Sequence, residues 1–205
     1  MPRTFPGTAA AATSRPRRPE YVIRPAEYAD HRAVAQVVAR ATHWMDHRPR
    51  AATPGDCPLL SMLGTVDRGH PLTWLLLDGT TIRSCALVIK SPMRDERGRD
   101  MPGRALWIDD LYEDRDGPDC DGYGPRLAGW LVDYGAHERE HVQWLATDTA
   151  DQAVAEDLGD RYGLEVLRST PMSAFLLRRR TRRLPRMTDT VHAQLPPCVR
   201  RRRRP

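Results

Sequence analysis

The spacing of apolar residues divides the chain into short segments with alternating helical and strand character. Tyr21-Val22-Ile23-Arg24 is a β-prone run halted by Pro25. Val34, Val37, Val38 and Ala41 recur at helical intervals and predict a helix over 27–41. A loop from Pro49 to Pro58 leads to Leu59, Leu60, Met62, Leu63 and Val66, which predict a second helix ending near Gly69. Leu72 to Leu77 is an apolar run and Thr80 to Ile89 is β-prone. Asp78-Gly79 between them predicts a hairpin, because this pair tolerates positive φ in a tight turn. Pro92 to Gly103, rich in Arg, Asp and Gly, reads as a loop.

The second half repeats the alternation. Residues 105–112 read Ala-Leu-Trp-Ile-Asp-Asp-Leu-Tyr, a central strand ending in carboxylates. A polar loop from Asp114 to Asp121 closes with Gly122-Tyr123-Gly124. Pro125 then opens a helix, where its missing N–H costs least. That helix runs to about Glu140 with Leu127, Trp130, Leu131 and Tyr134 on one face. Val142 to Thr147 is a strand, 151–162 a helix stopped by Gly163, and 164–168 and 172–177 two closing strands. The predicted order is β-α-α-β-β-β-α-β-α-β-β, an α+β domain. Trp74, Trp107, Trp130 and Trp144 all fall on these elements and read as core.

Composition sharpens this picture at the two ends. Of 205 residues 40% are apolar and 29% charged, with a formal net charge of +5. Residues 1–20 are rich in Ala, Pro, Arg and Thr without an apolar period, and 179–205 are rich in Arg and Pro. Both read as disordered tails flanking one domain over 21–178, since neither can bury enough surface to offset chain entropy. Residues 178–205 hold eleven arginines against Asp189 alone. Residues 21–177 hold 17 basic and 25 acidic side chains, a net of −8. The body therefore attracts cations and disfavours nucleic acid; only the run Arg200 to Arg204 suits weak phosphate contact. No stretch of about 18 apolar residues points to a membrane span. No leucine-rich core at the N-terminus points to a secretory signal. Four scattered cysteines without a Cys-x-x-Cys fit a reducing cytoplasm.

Three places carry candidate chemistry. A strand leading through glycines into a helix presents several unpaired N–H groups and the positive end of a helix dipole to one point, a geometry that suits phosphate. No Gly-Lys-Ser/Thr follows, which excludes a P-loop, and the missing third glycine argues against a dinucleotide fingerprint. His137-Glu138-Arg139-Glu140-His141 matches the helical zinc-hydrolase pattern. His141, however, abuts the strand Val142 to Leu145, beyond the helix, so no metal is expected. His43-Trp44-Met45-Asp46-His47 follows the first helix, and its rings could line an acceptor pocket or simply pack and face water.

The order of elements and four motifs together resemble the GNAT superfamily of N-acetyltransferases. Ile108-Asp109-Asp110-Leu111-Tyr112 is similar to that family's central strand, where an acidic pair precedes Leu-Tyr-Val. Asp119-Cys120-Asp121-Gly122-Tyr123-Gly124 stands where the family has its pyrophosphate loop, Arg/Gln-x-x-Gly-x-Gly/Ala. Gln152-x-x-Ala155-x-x-Leu158 followed by Gly163-Leu164-Glu165 resembles the segment Asn-x-x-Ala-x-x-Leu-Tyr…Gly-Phe-Glu. Tyr21 to Ala26 resembles the first strand. There are departures. Asp119 replaces the loop's Arg/Gln, Asp121 adds a carboxylate, and Pro125 removes an N–H. Glu113 replaces a strand valine, and Gly159 stands where a proton-donating tyrosine is frequent, with Tyr162 three residues on.

The resemblance implies a GNAT-like mixed, mainly antiparallel sheet flanked by helices, with acetyl-CoA as acyl donor and a small cationic amine as acceptor. It implies direct attack by the amine after a base removes its proton. Asp109 is the first candidate base and Asp110 the second; strict strand alternation would let only one of them face the cleft. The implied donor contacts are Leu111, Tyr112 and Glu113 on the strand, then Asp121, Gly122, Tyr123, Gly124 and Arg126 at the loop and helix start, and Gln152 on the following helix. A non-catalytic GNAT-like module that binds a ligand or partner is the alternative, ahead of a zinc hydrolase. A homodimer stays open.

Overall fold

The computed structural model describes residues 21–45, 57–67, 70–94, 99–114, 116, 122–137, 142–149, 151–169 and 174–195. The elements in chain order begin with β1 (Tyr21–Pro25), a 3-10 turn (Tyr28–Asp30), α1 (His31–Met45) and α2 (Pro58–Ser61). There follow β2 (Val66–Asp67), β3 (His70–Pro71), β4 (Thr73–Asp78), β5 (Thr81–Arg94) and β6 (Asp100–Glu113). The chain continues with α3 (Tyr123–His137), β7 (Val142–Thr149), α4 (Gln152–Tyr162), β8 (Glu165–Ser169) and β9 (Ala174–Arg180). It closes with α5 (Met187–Thr190) and β10 (Val191–Ala193). Among the described residues one eight-stranded sheet runs in the order β10-β1-β4-β5-β6-β7-β9-β8, beside a small β2–β3 hairpin. β1–β10 and β6–β7 pair in parallel and the remaining pairs of the large sheet are antiparallel.

Helices cover both faces of this sheet, which is why β4 is apolar at successive positions and does not alternate. Trp74 and Leu76 join the core under α3 and α4, with Ile23, Val88, Leu106, Ile108, Leu127, Leu131 and Leu145. Leu75 and Leu77 point the other way, to Val34, Val37, Val38 and Leu59 of α1 and α2. Each fully buried aliphatic side chain of this kind contributes about 1.5–3 kcal/mol. Trp130 stacks on Tyr134 with centroids 5.0 Å apart, and Trp74 lies 4.8 Å from Trp130. α4 is framed by local chemistry. Asp151 caps it by accepting from the Ala153 and Val154 N–H groups, and Gly163 ends it at φ 61°, a left-handed backbone that glycine adopts without strain.

Several expectations need correction. The second helix stops at Ser61 and does not run on to Val66; Gly64 turns the chain at φ 74°, and Val66 belongs to the β2–β3 hairpin. The expected loop over 92–103 is instead mostly strand. β5 reaches Arg94 and β6 begins at Asp100, because Met93 and Ala105 find a buried patch with Ala146 and Leu176. Trp107 and Trp144 border that patch and are only half-buried. The helix expected from Pro125 begins two residues earlier, at Tyr123.

Of the C-terminal tail expected over 179–205, residues 179–195 are part of the fold, and 196–205 lie outside the described residues. β9 continues through Arg180, and β10 pairs in parallel with β1, Tyr21 with Val191 and Ile23 with Ala193. Arg178 lies over the Trp144 ring at 4.6 Å and pairs with Glu165, while Arg179 donates to the Tyr162 carbonyl at 3.0 Å. Val191 is buried against the core that Leu184, Met187 and Leu195 join from the side. Leu184 N–H donates to Asp133 of α3 at 2.6 Å. The expected N-terminal tail over 1–20 and the run Arg200 to Arg204 lie outside the described residues. No described helix is long and apolar enough to cross a membrane.

If β10 is an integral edge of the sheet, Val191→Asp should destabilise the protein by about 2–3 kcal/mol in urea denaturation, because it drives a carboxylate into that core. His192→Asp, at the exposed neighbouring position, should stay within about 0.5 kcal/mol.

Candidate functional site

The site begins where two parallel strands part. β6 and β7 pair from Arg104–Val142 to Trp107–Ala146 and no further. β6 then follows β5 as far as Ser84–Glu113, while β7 follows β9 as far as Thr149–Phe175. The backbone edge of β6 beyond Trp107 therefore faces a gap in the sheet. A β-bulge lies at the same point. Leu87 pairs with Asp110 and Val88 with Ile108, which leaves Asp109 as the extra residue. Bulges bend a strand and increase its twist, which suits a strand that must leave one neighbour and keep the other.

The bulge also interrupts strict alternation at Asp109 and Asp110. Ile108 and Leu111 both pack on the α3 side, while Tyr112 packs under α1 and α2. Two carboxylates thus occupy the space where alternation would put one. Asp109 is exposed beside the gap. Asp110 is half-buried, and the Tyr112 hydroxyl lies 3.5 Å from its Oδ1. Cys57 Sγ approaches the same hydroxyl at 3.5 Å. Burial, then the Cys57 contact and the Asp110 charge, push the Tyr112 hydroxyl far above its ordinary value, so it stays protonated. Burial likewise raises the fully enclosed Cys85 thiol beside them. Cys57 and Cys85 are both free thiols.

The remaining predicted donor contacts distribute as follows. Leu111 points to the α3 core, and the Tyr112 side chain points away from it. The Tyr123 ring is fully buried, edge-on to Tyr21 at 6.2 Å, with the Arg83 guanidinium 5.7 Å from its centroid. Gly122 accepts from the Arg126 N–H at 3.0 Å, and the Arg126 guanidinium lies over the Tyr21 ring at 4.7 Å. Gln152 is exposed on α4, its amide donating to Glu156 one turn on at 2.8 Å. Asp121 lies outside the described residues, as do Asp119 and Cys120.

Glu113 and Gly124 are the pair that structure brings together most closely. The Gly124 N–H, in the first turn of α3, donates to Glu113 Oε2 at 3.1 Å. Arg161 of α4 forms an ion pair with Glu113 Oε1. A Cβ on Gly124 would stand 2.6 Å from Glu113 Oε2 and 2.7 Å from the Tyr162 hydroxyl. The space beside this amide is thus filled by the protein's own side chains. The sequence signal was the carboxylate in place of a strand valine; Arg161, the partner that makes it tolerable, had no signal of its own.

A second buried carboxylate also went unnoticed in the sequence. Asp114, 2% exposed, receives Arg83 at 2.8 Å and Arg40 at 3.2–3.3 Å, and its Oδ1 accepts the Asp116 N–H at 3.2 Å. It ties α1 and β5 to the start of the loop that precedes α3. Its partners lie 31 and 74 residues away, beyond any local pattern.

Elsewhere, a cavity of about 290 Å³ opens between Trp74, Val88, Leu106 and Tyr134, with Lys90 and Arg104 at its margin. It lies on the α3 face toward the far end of that helix, ten residues or about 15 Å along from Gly124, so it is separate from the start of α3. His137 is the exposed last residue of α3, its Nδ1 2.8 Å from the Asp133 carbonyl oxygen. Glu138 and His141 lie outside the described residues, and of His43 and Trp44 only the helical backbone is described. Among the described residues no three His, Cys, Asp or Glu side chains gather into a metal-binding group.

Set against acyl-CoA, these features divide. The edge of β6 beyond Trp107 has no pairing with β7 and carries an exposed carboxylate. The α3 corner as it stands does not suit a diphosphate, because its amide is already given to Glu113. Comparison with solved structures places the fold. The chain superposes on a GNAT-family acetyltransferase from Listeria monocytogenes with a TM-score of 0.54 at 11% identity, covering 78% of this chain and 94% of that one. An acetyltransferase from Thermus thermophilus gives 0.53 at 14%, covering 78% and 96%. NAA60 from Arabidopsis thaliana, solved with a bisubstrate analogue, gives 0.52 at 12%, covering 78% and 97%. No family model and no curated protein matches the sequence. The chain has the GNAT acetyltransferase fold: a mixed, mostly antiparallel sheet with helices on both faces.

Asp114 is buried, but Arg83 and Arg40 are 20% and 38% exposed and keep access to water when it is removed. Asp114→Ala should therefore cost about 1–3 kcal/mol in chemical denaturation. Asp148→Ala, at an exposed position of β7, should change stability by less than about 0.5 kcal/mol.

Proposed function

We propose that this protein is an acyl-CoA-dependent N-acyltransferase that moves an acetyl or other short acyl group to a primary amine. The observation that carries the reading is the separation of β6 from β7 immediately after Trp107–Ala146, with exposed Asp109 in the bulge beside it. A thioester donor supplies an activated carbonyl; the protein has to supply position and proton traffic. An ammonium has no lone pair, so a base must act before attack, and Asp109, directly or through one water, is the group to do so. Backbone N–H groups along the parted edge of β6 would hold the oxygen as it gains charge. Asp110, half-buried and close to the Tyr112 hydroxyl, is the second candidate and better suited to shaping the acceptor side. The net charge of −8 over residues 21–177 favours approach of a cationic amine.

A second reading is a ligand- or partner-binding module on the same fold without turnover. The Gly124 N–H given to Glu113 favours it, since that amide belongs to the corner a donor diphosphate would need.

Turnover separates the two readings. With acetyl-CoA and a panel of small amines, thiol release should be measurable, and Asp109→Asn should lower kcat by about 10²–10⁴ while donor affinity stays within about twofold. Absence of both turnover and donor binding across the panel would remove the transferase reading. Full activity in Asp109→Asn would move the base elsewhere.

A further inference from the structure

The strongest feature outside the proposed chemistry is the carboxylate lodged at the start of α3. Three side chains from two elements converge there: Glu113 from the end of β6, and Arg161 and Tyr162 from the last turn of α4. The carboxylate is 5% exposed and is held by one backbone N–H and one guanidinium. These are the two donor types that proteins use to bind phosphate oxygens, and a carboxylate bound by them is an anion in an anion's place. The Arg161 side chain is 19% exposed against 6% for Glu113, and the Nη2 that faces Glu113 is itself buried.

We infer that Glu113 is an internal competitor for the diphosphate of the acyl donor, and that Arg161 is the cation the two anions share. This rests on the transferase reading and refines it: donor affinity is set by how readily Glu113 gives up the Gly124 N–H and Arg161. Both anions cannot occupy the corner together. A carboxylate and a diphosphate within a few ångströms repel, and the partial positive charge of a helix N-terminus offsets only part of that charge. An incoming diphosphate must therefore turn the Glu113 side chain out of the corner. Asp114, the next residue, stays fixed by Arg40 and Arg83, which confines the movement to that side chain.

The same arrangement makes Glu113 a discriminating residue. Donor parts that lie along the parted strands, the acyl group and the pantetheine arm, do not meet it. Parts that carry phosphate do. Its removal should improve binding of full-length donors and leave truncated ones unaffected.

Calorimetric titration of the full chain with acetyl-CoA, inorganic pyrophosphate and acetyl-pantetheine tests this. Glu113→Gln and Glu113→Val, each confirmed folded by its thermal transition, should bind acetyl-CoA and pyrophosphate about tenfold more tightly than wild type, with acetyl-pantetheine unchanged. Arg161→Gln should weaken acetyl-CoA about tenfold and leave acetyl-pantetheine unchanged. If wild type binds acetyl-CoA and neither Glu113 variant binds it more tightly, the competitor role is wrong and the transferase reading stands. Equal tightening toward acetyl-pantetheine would also overturn it, since the effect would not be on phosphate. If neither wild type nor any variant binds acetyl-CoA or acetyl-pantetheine, the transferase reading itself fails with it.

Discussion

β6 is required to satisfy two neighbours that diverge. It pairs with β5 along most of its fourteen residues but with β7 over only four register positions. Hydrogen bonding to both is not compatible with a flat strand, and the bulge at Asp109 is where the conflict is resolved. One extra residue bends β6, opens the sheet on the β7 side, and places two consecutive carboxylates between Ile108 and Leu111, which pack on the same face. The gap and the exposed base candidate both follow from that one irregularity. A regular strand here would close the sheet and leave the surrounding side chains without a cleft.

The loop after β6 is governed by buried charge. Asp114 with Arg40 and Arg83, and Glu113 with Arg161, are adjacent in sequence but turn to different partners on different elements. Buried ion pairs are weak contributors to net stability, yet removing one member is costly, so they specify geometry more than they strengthen the fold. Here they fix where β6 ends and what stands at the start of α3. The carboxylates that fill the start of α3 are therefore the same groups that hold the neighbouring backbone in place.

Much of the architecture was legible in the sequence because it rests on local periodicity. The apolar faces of α1 and α3, the Asp78-Gly79 hairpin and the strand–glycine–helix unit are each encoded within about fifteen residues. What failed were features that depend on distant partners. Residues 92–103 carry the composition of a loop, but Met93 and Ala105 gain a core with Ala146 and Leu176, and the strands extend to reach it. Val191 has no strand signal of its own; it is recruited by the open edge of β1. At the site, the acidic pair and the glycines could be read from their types and spacing. The bulge that sets the two carboxylates' direction, and the pairing of Glu113 with a residue 48 positions later, could not.

The parallel contact between β1 and β10 has a consequence for how the chain matures. The first strand of the sheet lends its outer edge to residues 191–193, so about 170 residues must be synthesised before that edge is covered. Until then β1 offers a row of unsatisfied amides and carbonyls to any extended segment that passes. Such a late, long-range closure slows the final step of folding relative to the hairpins that precede it. The edge of β1 thus stays open while the intervening residues are made, and the α5–β10 segment acts as its seal.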